Sequence, residues 1–163
     1  MKISKKPRFP ELSFTNTLTA DEQKYLGISR KRTFPFHDVK GSLIIIEIFN
    51  TYCTSCPRNV PVLNNALFSV ERDQGLRDRV KIVAIAVGNT ANEVREYKKI
   101  HKTRYPIVTD YSFSAHKALG NPRVPFTLFV KRDSSGRLFI HQTHSGLFEP
   151  PDSLFRTIRS LAV

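Results

Sequence analysis

The 163-residue chain has no tryptophan, one methionine and two cysteines. So few cysteines exclude a small scaffold stapled by disulfides. The two stand close together, at 53 and 56, so a bond between them would close a tiny loop and add little global stability. Whatever the pair contributes is chemical. Long apolar runs are missing too. Runs such as Leu43 to Ile46 fall far short of the roughly 20 residues that span a bilayer. The opening Met1-Lys2-Ile3-Ser4-Lys5-Lys6-Pro7 is basic but lacks the apolar stretch of a secretory leader. The chain as it stands is expected to be soluble, and a leader removed ahead of Met1 stays open. Internal repeats and low-complexity tracts are absent.

Acidic residues are scarce: 14 Asp and Glu against 26 Lys and Arg, a formal net charge of +12. Such a surplus attracts anionic partners. It is spread along the chain at Lys2, Lys5, Lys6 and Arg8, at Arg30-Lys31-Arg32, and in pairs such as Lys98-Lys99 and Lys131-Arg132. No recognition motif accompanies it, so no specific nucleic-acid binding is expected. A solvated basic surface is the plain reading, with peripheral contact to an acidic protein or an anionic membrane as the alternative. Forty per cent hydrophobic residues suffice for a core in one domain, or one domain with an arm.

Residues 1–35 read as an N-terminal extension, with scattered apolar residues interrupted by Pro7, Pro10 and Pro35. One short helix is expected at Ala20 to Leu26, capped by Thr19 or Asp21. The texture then changes, and 36–163 read as one domain. Leu43-Ile44-Ile45-Ile46-Glu47-Ile48-Phe49 suits a strand buried on both faces. Val60, Leu63, Leu67 and Val70 recur at helical spacing. Arg79 to Val87 predicts a second buried strand, Ala91 to His101 an amphipathic helix, and Pro106 to Thr109 a short extended piece. Ser114 to Leu119 predicts a small helix closed by Gly120. Phe126 to Val130 and Leu138 to Thr143, joined by Ser134-Ser135-Gly136, predict a hairpin. Pro151 to Leu161 predicts a last helix, with Pro151 near its first position and Asp152 in its first turn. Strands alternating with helices and a late hairpin imply an α/β fold with a central mixed sheet.

Cys53-Thr54-Ser55-Cys56 falls at a predicted strand-to-helix junction. A cysteine there meets unpaired backbone N–H groups and the positive end of the helix dipole, both of which favour thiolate. Such a thiolate attacks a disulfide, and a second thiol one turn on resolves the mixed disulfide. Cys53 takes the first role and Cys56 the second. Two unrelated structural cysteines are the bland alternative. A zinc site needs about four ligands. His141 and His144 are the candidates to complete one, but on a strand three residues point them to opposite faces. Haem attachment needs His after the second cysteine, where Pro57 stands. No metal and no cofactor is expected.

The stretch Ile44 to Pro57 resembles the active-site strand and helix of thioredoxin-like proteins, and Arg123-Val124-Pro125-Phe126-Thr127-Leu128-Phe129-Val130 resembles their cis-proline strand. Cys56-Pro57-Arg58-Asn59-Val60-Pro61-Val62-Leu63 is similar to the TlpA/ResA branch, whose members mostly work outside the cytoplasm. The resemblance runs from about Phe34 onward. It implies a thioredoxin fold, thiol–disulfide exchange with protein substrates, a redox partner protein as electron donor or acceptor, and a monomer. It points to a periplasmic or other extracytoplasmic place, with the cytoplasm as alternative. Pro125 matches the cis-proline that lies against the dithiol, and Val124 offers backbone to an extended substrate. Glu47, six residues before Cys53, matches the buried acid of thioredoxins; desolvation would raise its pKa and let it exchange a proton with Cys56. A solvent-facing edge position is the alternative for Glu47. Tyr52 stands where most relatives carry Trp, and would give an aromatic wall for substrate. Asn59 replaces an acidic residue common in the branch, so any acid–base task of that position is absent or moved to Glu47. Two other functions remain: a thiol peroxidase, loosely suggested by Thr51 and Arg123 although Ile46 and Asn50 replace the usual Pro and Thr, and a non-catalytic binding module.

Overall fold

The computed structural model describes residues 6–163, so the expectations resting on Met1 to Lys5 lie outside the described residues. The apolar run at 43–49 forms strand β3 (Leu43–Phe49), and all of its residues are buried. The other strands are β1 (Ser13–Thr15), β2 (Thr33–Pro35), β4 (Val80–Val87), β5 (Ile107–Asp110), β6 (Phe126–Arg132) and β7 (Leu138–Ser145). The helices are α1 (Ala20–Leu26), α2 (Val60–Glu71), α3 (Ala91–His101), α4 (Ser114–Ala118) and α5 (Ser153–Leu161). Five strands form one sheet in the order β5-β4-β3-β6-β7, with β3 at its centre. β3 runs parallel to β4 and antiparallel to β6; β4 and β5 are parallel, β6 and β7 antiparallel. The sheet is mixed, as expected.

Alternation along β3 explains why both faces had to be apolar. Leu43, Ile45 and Phe49 join α2, α3 and α5 through Val60, Leu63, Leu67, Val70, Val94, Leu154 and Ile158. Ile44, Ile46 and Ile48 join the other cluster, with Phe9, Phe14, Leu26, Phe34 and Phe36. The N-terminal residues thus cover one face of the sheet. Their apolar residues look scattered in sequence because β1 and β2, not expected from the pattern, are very short. They pair antiparallel with Phe14 opposite Phe34. α1 is closed by a capping box: Glu22 N donates to Thr19 Oγ1 at 3.2 Å and Thr19 N to Glu22 Oε1 at 2.9 Å. α1 also reaches the sheet, since Ile82 N donates to the Tyr25 hydroxyl at 2.9 Å.

Two helix starts differ from expectation. After the dithiol the chain makes a tight 3₁₀ turn at Cys56–Asn59 before α2 begins. Pro61 has no N–H to donate to Pro57 O, so a regular ladder begun at Cys56 would lose one of its first bonds. Arg58 N bonds to Ser55 O at 3.1 Å and Val60 N to Pro57 O, both closing three-residue turns. α5 begins at Ser153, so Pro151 and Asp152 precede it in a turn closed by Ser153 N to Pro150 O at 2.9 Å.

Gly88, just past β4, has φ of +71°, and a Cβ there would lie 2.4 Å from Phe113 Cζ. Gly88→Ala must hold a left-handed backbone and displace that ring. It should lower stability by about 1–2 kcal/mol in urea unfolding; an unchanged midpoint would show that the turn relaxes freely.

Candidate active site

β3 leads straight into the dithiol. Past Phe49 the chain turns, with Cys53 N donating to Asn50 O at 3.1 Å and Tyr52 N to Asn50 Oδ1 at 2.7 Å. Asn50 Nδ2 ties this turn to Val87 O of β4 at 3.1 Å. Cys53 and Cys56 are joined as a disulfide, with Cα atoms 5.4 Å apart. Cys53 is half-buried, whereas Cys56 is only 1% exposed and lies in the core beside α2. Cys53 is therefore the more accessible of the two sulfurs. Cys56 N points at Cys53 Sγ at 3.3 Å, and Ser55 Oγ lies 3.6 Å from the same sulfur. Both donors would favour negative charge on Cys53 in the reduced state.

The Val124–Pro125 bond is cis. β6 begins one residue later, and its Phe126 pairs with Ile48 of β3. That register brings the cis-proline to the sheet end from which Cys53 emerges. Pro125 is buried and its carbonyl accepts from Gly146 N at 2.8 Å; Val124 is half-buried. Tyr52, the residue before Cys53, is 74% exposed.

Glu47 is 2% exposed at the centre of the sheet, so the solvent-facing alternative is overturned. By alternation it points to the same side as Ile45 and Phe49, the side on which Cys56 is buried. Asn59 Nδ2 donates to Glu47 Oε2 at 3.2 Å, and Asn59 Oδ1 accepts from Phe148 N at 3.4 Å. Asn59 closes the turn that Cys56 opens, so one buried amide links the carboxylate to the resolving cysteine's own turn. Burial pushes the Glu47 carboxyl up to about 8, and the Asn59 bond offsets only part of that rise. The phenols of Tyr97 and Tyr105 are also raised, mainly by burial and further by the nearby Glu47 charge. Thr127, directly across from Glu47 on β6, is buried with its hydroxyl unpartnered.

A second network escaped the sequence reading. Asn89, fully buried after β4, accepts from Thr51 N at 3.0 Å and donates to Thr51 Oγ1 at 2.7 Å and to Glu93 Oε1 at 3.4 Å. The Tyr52 hydroxyl donates to Glu93 Oε2. Glu93 also completes a capping box with Thr90 at the start of α3. The Thr90-x-x-Glu93 spacing carried a helix-start signal; the grip of Asn89 on Thr51, 38 residues away in sequence, carried none. Thr51, considered for peroxide chemistry, is engaged in holding the loop. Among the described residues no three or more His, Cys, Asp or Glu side chains converge to hold a metal ion. His144 stacks on Phe148, with centroids 4.2 Å apart.

The folded chain holds a proton on Glu47 that the unfolded chain releases near the ordinary value of 4.5. Stability tied to protonated Glu47 is full below that value and is lost as pH rises through about 8. Wild-type oxidised protein should therefore lose a few kcal/mol between pH 5 and pH 8, roughly 1.4 kcal/mol per pH unit within the window. Glu47→Gln should flatten this slope in urea unfolding at the two pH values. An identical slope in both proteins would mean that Glu47 does not titrate in that window.

No family model matches the chain. It is 26% identical over 106 residues to the thiol-disulfide oxidoreductase ResA of Geobacillus thermodenitrificans, covering 65% of this chain and 58% of that protein. It is 26% identical over 93 residues to ResA of Bacillus subtilis, covering 57% and 49%. The chain thus spans about half the length of these curated relatives. A thioredoxin-family thiol:disulfide interchange protein from Chlorobium tepidum superposes with a TM-score of 0.70 over 99% of this chain and 100% of that one, at 17% identity. StoA from Bacillus subtilis gives 0.57 over 72% and 82%, at 20% identity. The chain has the thioredoxin fold, and its likeness within that fold is to the TlpA/ResA branch.

Proposed function

We propose that the chain is a thiol–disulfide oxidoreductase acting on protein substrates. The observation that carries this reading is the Cys53–Cys56 disulfide, with one sulfur half-buried and its partner sealed in the core. In the reducing direction, Cys53 thiolate attacks one sulfur of a substrate disulfide, and the other substrate sulfur leaves as a thiolate. Cys56, deprotonated, then attacks Cys53 Sγ. The Cys53–Cys56 bond forms, the mixed disulfide breaks, and the second substrate sulfur leaves. Each cycle moves two electrons to the substrate, and a redox partner protein resets the dithiol. The oxidising direction is the same path reversed.

In this reading the ionised form of Glu47 takes the proton from Cys56 as that thiol becomes the nucleophile, and Asn59 orients the carboxylate. Val124 offers backbone to the substrate segment, Pro125 fixes that edge against the dithiol, and Tyr52 walls the opposite side. The likeness to the ResA branch supports an extracytoplasmic place of work. Among the described residues no helix is long and apolar enough to cross a membrane.

Cys56→Ser should accumulate a covalent mixed disulfide with substrate protein through Cys53, detected by mass spectrometry. Cys53→Ser should accumulate none. Trapping through residue 56 instead would reverse the assignment, and no trapping in either variant would argue for a binding module. The reduced protein should cleave insulin disulfides without consuming hydrogen peroxide; rapid peroxide consumption would instead support the peroxidase reading. Glu47→Gln should slow resolution of the mixed disulfide near pH 7 by about tenfold or more, in the range of general acid–base effects. Unaltered resolution kinetics would remove Glu47 from the mechanism.

A further inference from the structure

Starting at the Thr51-Tyr52 loop just before Cys53, a groove of about 360 Å³ runs along α3. Its floor and walls include Tyr52, Glu93, Glu96, Tyr97, Ile100 and His101. The α3 members fall at helical spacing and form one stripe of that helix. Two features of the groove bear on what it could hold. Its walls carry large exposed apolar side chains, with Tyr52 at 74% and Ile100 at 69% exposed. It also reverses the sign of the surface. The chain carries 26 Lys and Arg against 14 Asp and Glu, yet the residues lining this groove include two glutamates and no lysine or arginine. Arg95, Lys98 and Lys99 of α3 do not line it, and Lys98 pairs with Glu22 of α1. Glu93 is engaged by the Tyr52 hydroxyl, Asn89 and Thr90, so Glu96 is the exposed carboxylate on the rim.

Resting on the dithiol exchange proposed above, we propose that this groove docks the substrate segment flanking the reactive cysteine, and that it selects an apolar side chain next to a Lys or Arg. The groove begins at Tyr52, the residue before Cys53. From Glu93 to His101 it follows about 12 Å of helix, at about 1.5 Å per residue. An extended peptide covers that length in about four residues. The selected residues therefore lie within about four positions of the substrate cysteine. The apolar side chain lies against Tyr52, Tyr97 and Ile100, and the cation meets Glu96. Charge complementarity of this kind sets partner choice and encounter more than raw affinity.

The test uses two disulfide-linked peptide probes that differ only in the residue after a leucine near the cysteine, Lys in one and Glu in the other. The pair is placed first on the N-terminal and then on the C-terminal side. At low salt, reduced wild-type protein should cleave the Lys probe about fivefold faster on at least one side. The net charge of +12 alone would favour the Glu probe, so the sign of the preference separates the groove from the general field. Glu96→Lys should bring the ratio of the two rates to one or below. The ratio cancels any change in dithiol chemistry that the variant causes. Equal rates in the wild type on both sides, a preference for the Glu probe, or a Lys preference that survives Glu96→Lys would each overturn the proposal. Inertness of the wild type toward even a small aromatic disulfide would instead remove the dithiol reading, and the groove's role with it.

Discussion

The burial of β3 on both faces is the constraint on which the rest depends. A strand at the centre of a sheet, covered by α2 and α5 on one side and by the N-terminal residues on the other, has no freedom to slide or tilt. Slipping it by one residue would exchange the two apolar faces and bring Glu47 out against Val83, Ile85 and the N-terminal phenylalanines. The strand's end is therefore a fixed point, and the dithiol is attached there. The same burial that fixes the strand desolvates Glu47 and raises its pKa to about 8. Position and proton affinity thus come from one cause.

Around that point the molecule uses amides where a charge would be costly. Asn59 and Asn89 are both buried, at 1% and 0% exposure, and both bridge elements distant in sequence. Asn59 joins β3, the turn after the dithiol and the loop leading to α5. Asn89 joins the loop before the dithiol to the start of α3. An amide presents both donors and an acceptor, so one side chain can satisfy a carboxylate and a backbone N–H together. The two asparagines hold the segments on either side of Cys53 and Cys56, leaving Cys53 half-buried between them.

Much of this was legible in residue order. The strand at Leu43–Phe49 could be read because continuous β-branched apolar residues have few other uses, and the hairpin because its turn chemistry is local. Glu47 stood out as a charge within an apolar run. The cis form of Val124–Pro125 was legible only through family resemblance, since sequence alone favours trans before a strand. β1 and β2 were not legible. Three-residue strands give no period to detect, and their phenylalanines acquire meaning only when laid against Ile44, Ile46 and Ile48. The 3₁₀ turn at Cys56–Asn59 had its cause in plain sight, in Pro61, but only the backbone showed where the regular helix resumes.

The chain order by itself determined the α/β class, the central strand and the location of the dithiol at its end, because these rest on periodicity and on neighbours a few residues apart. Tertiary structure alone decided that Asn59 holds Glu47, that Asn89 holds Thr51, and that one stripe of α3 forms an acidic, apolar groove beside Tyr52. Those relations join residues 12 to about 50 positions apart. Such pairs become neighbours only after the sheet and its covering layers have formed, and no local preference records them.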